Sequence, residues 1–174
     1  MRLRSRSTCR NAATLIEAAI VLPVTLLLIF GLVVGGLGIF RYQEVAHLAR
    51  LTARYAATHG GQYAQDNATA IQNGTLPNVN ETYLTQTVMS PAAVAMDTSK
   101  LSATVSITTP SGTFDWDSTS SNGNRMPTTT VTQGNSTATV SNTVTVTVTY
   151  KWTPELYLVG PITLSSTSVM PMSY

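Results

Sequence analysis

Glu17 is the side chain whose type and position most invite chemistry. Twenty-three residues follow it, Ala18 to Phe40, without one ionisable group. A carboxylate at the centre of a bilayer costs about 2.5–3.5 kcal/mol, and less toward the interface. A chain that keeps one at the mouth of an apolar run has a use for it, and ion pairing at the membrane edge is the chemistry on offer. Other candidates are weaker. His47 and His59 stand twelve residues apart, not at the four-residue spacing of a helical metal pair, and read as surface histidines. Asp115-Trp116-Asp117 and the following Ser118, Thr119, Ser120 and Ser121 are oxygen-rich like a calcium loop, but the loop glycine and terminal glutamate of an EF-hand are missing. A solvated turn is the plainer reading. Sequons at Asn67, Asn73, Asn80 and Asn135 matter only in a eukaryotic secretory route, and chance supplies several in a chain this rich in Asn and Thr. There is no nucleophile motif, phosphate-binding glycine loop or Cys/His cluster. The residues therefore offer no enzyme, no cofactor, no metal and no small-molecule substrate.

The element that positions Glu17 is the apolar run itself. Twenty-three residues at 1.5 Å rise span about 35 Å, slightly more than the hydrocarbon core. That is too long for the 7–15-residue apolar stretch of a cleavable secretory signal. Arg2, Arg4, Arg6 and Arg10 precede it, so the amino-terminal end is expected in the cytoplasm and the body outside. Pro23 removes one helical hydrogen bond within the run and is expected to kink or loosen it. Gly31 and Gly35, extended by Gly36 and Gly38, form a small-xxx-small face that lets another helix approach closely.

Charge excludes a further class. The formal net charge is +2, but four of the ten cations lie in the leader; the other six face eight acids, a balance of −2. No basic stripe remains for nucleic acid. The single cysteine, Cys9, forbids an intrachain disulfide.

Beyond the run, residues 41–59 hold neither Gly nor Pro, and Val45, Leu48, Thr52, Tyr55 and Ala56 share one helical face. One helix is expected from about residue 14 to about 59, stopped by Gly60-Gly61. Residues 62–80 read as a polar loop. Glu81–Ser90 reads as a short helix ended by Pro91. Leu101, Ala103, Val105 and Ile107 alternate with hydroxyl residues, which predicts a half-buried strand. Ser111–Gln133 reads as a long loop or hairpin. Val144, Val146, Val148, Tyr150 and Trp152 share one face of the clearest strand, with threonines on the other, and Ile162–Val169 reads as the last. The fold class is α+β: a long N-terminal transmembrane helix continues into an amphipathic helix packed on a small antiparallel β-sheet. The organisation is a basic leader over 1–12, the transmembrane and extended helix over 13–60, and an extracytoplasmic β-rich domain over 61–174.

The string Ala12-Ala13-Thr14-Leu15-Ile16-Glu17 resembles the processing site of type IV prepilins, in which a short basic leader is cut ahead of an apolar helix. Glu17-Ala18-Ala19-Ile20-Val21-Leu22-Pro23, Arg41-Tyr42 and Ala53-Arg54-Tyr55-Ala56 resemble the TadE-like pseudopilins of the Flp (tight adherence) pilus system. Val144–Tyr150, Pro154, Pro161 and Ile162–Ser165 resemble that family's closing strands. The likeness is best over 10–60 and 140–170. One departure is Ala12, where the family usually has glycine. The resemblance implies a bacterial inner-membrane protein cut between Ala12 and Ala13 by a prepilin peptidase. It implies a minor, structural component of pilus assembly whose partners are the membrane and other pilus or pseudopilin subunits. Glu17 would pair with a neighbour's new terminus, and Pro23, Gly31 and Gly35 would serve helix packing. The alternative is a single-pass anchored surface adhesin or binding module using the 111–133 loop.

Overall fold

The computed structural model describes residues 7–117, 125–154 and 160–173. Arg2, Arg4, Arg6 and Ser118–Ser121 lie outside them. The chain divides into two compact units, Met1–Ile39 and Phe40–Tyr174.

In the first unit the chain is helical from Ser7, the start of α1 (Ser7–Thr58), about two turns earlier than the sequence reading placed it. Helix continues through Pro23, although the carbonyl of Ala19 loses its usual donor there. Thr25 gives its hydroxyl to the Val21 carbonyl at 2.8 Å. The apolar side chains are bare: Leu15 and Leu28 are each 70% exposed and Leu32 is 79% exposed. Such a surface requires an apolar surround, and α1 is long and apolar enough to cross a membrane.

The second unit is built on the rest of α1. Val45, Leu48, Ala49, Thr52, Ala53, Ala56 and Ala57 are buried, at the three- and four-residue spacing of one helical stripe. Tyr55, expected on that face, sits half-buried at its rim. The stripe and the inward face of a sheet make the core. That sheet contains β1 (Leu101–Thr109), β2 (Gly112–Asp115), β5 (Thr143–Trp152) and β6 (Ile162–Pro171) in the order β2-β1-β5-β6. All pairs are antiparallel. Val144, Val146, Val148, Tyr150 and Trp152 are buried, as the alternation requires, while the threonines between them are half-exposed.

Three sequence expectations need correction. The polar stretch 62–80 contains α2 (Gly61–Asp66) and α3 (Ala68–Gln72), not only loop. Its composition disfavours helix, but tertiary contacts hold α2: Gly61 donates to the Arg125 carbonyl at 2.8 Å, and Tyr63 meets the His59 ring at 4.7 Å. The short helix runs past Pro91 as α4 (Glu81–Tyr83), a π-helical turn (Leu84–Met89) and α5 (Ser90–Ala92). Five-residue spacing puts buried Leu84 and Met89 on one side of the π turn. Among its described residues the 111–133 segment takes part in two hairpins, the hairpin alternative and not a plain loop: β2 pairs back on β1, and β3 (Thr128–Gln133) pairs with β4 (Ser136–Ser141), a strand the reading missed. Gly134, at φ 63°, supplies the left-handed residue that a two-residue hairpin turn needs.

The β3–β4 hairpin is held at its base by Asn142, which is fully buried. Its amide donates to the Met126 carbonyl at 2.8 Å and accepts from the Thr129 hydroxyl at 2.9 Å. Its main chain donates to Pro127 and accepts from Met172. Asn142→Ala should cost about 1–3 kcal/mol, because the Met126 carbonyl loses its buried donor. Limited proteolysis should then cut the hairpin first.

Candidate functional site

The cleavage-site pair, Glu17 and the three helix-packing residues all lie on the part of α1 that belongs to the first unit. Ala12 and Ala13 are in the helix backbone, and Glu17, Pro23, Gly31 and Gly35 follow along it. Glu17 is exposed. Gly35 lies eighteen residues on from Glu17, about five full turns at 3.6 residues each, so the two share a helix face. Gly31, one turn earlier, falls within about 40° of the same line. A side chain added at Gly31 or Gly35 would meet nothing within 4 Å. The glycines are therefore not needed for packing within the chain. They leave a shallow strip in line with the carboxylate, suited to the close approach of a second helix.

The histidine reading holds for His47, which is exposed. His59 is half-buried and stacks flat on Tyr55, with ring centroids 4.0 Å apart and planes 3° apart. Among the described residues, no group of three His, Cys, Asp or Glu could hold a metal.

Sequence reasoning missed a polar cluster that locks the second unit. Trp116 is fully buried, and its indole donates to the Val79 carbonyl at 2.9 Å. The Arg125 guanidinium lies over that ring, 4.6 Å from its centroid. It donates to the Trp116 carbonyl from Nε at 2.9 Å and also from Nη2, and to the Val79 carbonyl at 3.3 Å. Burial pulls the Arg125 pKa down, against the pull of Asp117 and Asp115. The signal available was that Arg125 is the single cation between Lys100 and Lys151. Asp115-Trp116-Asp117 does end in a turn with both aspartates exposed, but the turn is not wholly solvated. Its tryptophan is core, and Asp117 accepts from the Glu81 main-chain N–H at 3.0 Å, at the start of α4.

Glu81 closes the same corner. Its carboxylate accepts from the Val105 N–H at 2.6 Å. Burial raises its pKa, the Val105 bond opposes that, and Asp115 and Asp117 raise it further. A carboxyl raised in the folded state binds more protons than in the unfolded chain. Its ionisation therefore costs stability as pH rises from its ordinary value of 4.5 through the folded value. Glu81→Gln should keep the acceptor for Val105 and remove the charge. The variant should gain stability at neutral pH relative to its parent, and the gain should vanish at pH 4. Thermal unfolding at the two pH values measures it.

Comparison with known proteins bears on most of α1. The family model for TadE-like protein matches residues 12–54. Over that segment the chain is similar to TadE-like proteins. The match holds Glu17, the glycine face and most of the buried stripe of α1, and it ends at residue 54. The likeness read over 140–170 lies outside it. No match was found among the curated proteins, and none among the solved structures.

Proposed function

We propose that this chain is a minor pilin-like membrane protein of Flp-type pilus assembly, structural and not catalytic. One observation carries the reading: the TadE-like match covers the segment in which Glu17 opens a bare apolar helix. A single such helix fits a single-pass anchor. The leader arginines favour a cytoplasmic amino terminus in the bacterial inner membrane, with the β-rich unit on the extracytoplasmic side.

A prepilin peptidase cuts between Ala12 and Ala13. The new α-amino group has a reference pKa of about 7.7–8.0 and is substantially protonated at neutral pH. Glu17 of one subunit pairs with that group of the next, because an unpaired carboxylate at hydrocarbon is penalised. The Gly31–Gly35 strip lets the two helices close together. The pairing needs all helices at a matched depth, so it also sets register.

Co-expression with a prepilin peptidase tests the reading. The tagged chain should shorten, and Ala12→Leu, which puts a bulky side chain at the cut, should stay full-length. A chain whose size ignores the peptidase would return the molecule to a plain anchored surface module.

A further inference from the structure

The two edges of the main sheet are finished differently. Trp116 donates its N–H to the Val105 carbonyl at 3.0 Å, so Val105 turns its main-chain groups toward β2. Residues on one face of a strand turn those groups to the same side. In β1, then, Thr104, Ser106 and Thr108 bond β5. Ser106 is opposite Thr145, so the threonines of β5 bond β1, and Val144, Val146 and Val148 bond β6. Val146 is opposite Ser168, which leaves Thr163, Ser165, Thr167 and Val169 with their N–H and C=O groups facing away from the sheet. All four residues are exposed.

At the opposite edge the loose ends are closed. β2 is short and carries Asp115, and the Val105 N–H left beyond it is taken by Glu81. Among the described residues nothing does this for β6. Between its flanking prolines, Pro161 and Pro171, it carries no charge and no further proline. Charges, prolines and covers are the usual protections of an edge strand. The prolines stand five residues to either side of Ser166.

That symmetry names the occupant. We propose that β6 pairs antiparallel with β6 of a second copy, about a two-fold axis at Ser166. Thr163 then lies opposite Val169 of the other copy, and Ser165 opposite Thr167. Every outward N–H and C=O of these four residues finds a partner, about eight bonds in all. Pro161 falls opposite Pro171, so the ladder ends where neither chain has a donor. The hydroxyl faces of the two sheets join as one surface, because opposed residues in a pair share a face. The contact is isologous and closes at two copies.

Disulfide trapping in membranes tests this with the full chain carrying Cys9→Ser. Under mild oxidant, Ser166→Cys should form dimer about ten times more than Thr163→Cys or Val169→Cys alone, since only residue 166 meets itself within disulfide reach. The double variant with cysteine at 163 and 169 should again cross-link and gives the same reading if Ser166→Cys folds poorly. Ser165→Pro removes an outward N–H and leaves the bonds to β5 intact, so it should cut trapping at least about tenfold. Trapping that is absent, or uniform along β6, or indifferent to Ser165→Pro, overturns the proposal.

Discussion

Trp116→Ala is expected to cost about 3–5 kcal/mol of stability. The side chain is fully buried, so its removal leaves a cavity. It also strips the indole donor from the Val79 carbonyl and the ring from beneath Arg125. A small domain has about 5–15 kcal/mol in total, so the variant should lose a large share of its stability. Trp116→Phe separates the two losses. It keeps most of the volume and drops the N–H, and should cost about 1–3 kcal/mol. Arg125→Ala should fall between them, because the charge and its burial cost leave together while two carbonyls lose donors. Urea unfolding of detergent-solubilised protein, followed by tryptophan fluorescence, orders the three. If Trp116→Phe proved as damaging as Trp116→Ala, the indole bond and not the packing would dominate.

Glu17→Ala should leave membrane insertion and folding unchanged and reduce co-isolation with other pilus components at least about tenfold. The carboxylate is exposed and, among the described residues, makes no fold contact that its loss would break. Its effect therefore appears only between subunits. Glu17→Gln should fail nearly as badly, since shape is kept and charge is not. Gly31→Leu should weaken co-isolation without touching stability, because space around Gly31 is open within the chain. Undiminished co-isolation of Glu17→Ala would remove the carboxylate from the assembly mechanism.

The main elements were legible in the residues. The period-two valines of β5 and the helical stripe of α1 carry strong patterns because each buries one face against a core. The proposed assembly residues rest on the sequence alone, where an acid beside a long apolar run stands out. What stayed hidden depends on contacts distant in the chain. Arg125 looks like an ordinary surface cation until Val79 and Trp116 are brought to it. The helix α2, in a stretch of Gln, Asn and Gly, forms because Arg125 and His59 hold it. β3 and β4 are poor in apolar residues, so alternation gave little warning of them. The buried role of Asn142 has no local signal at all.

The intact mass of the protein extracted from the membrane of a peptidase-bearing host tests the central claim most directly. A chain beginning at Ala13 is the expected result, since only the cut exposes the amino group that Glu17 requires. A chain still beginning at Met1 would leave that carboxylate without its cation and contradict the pilus assignment.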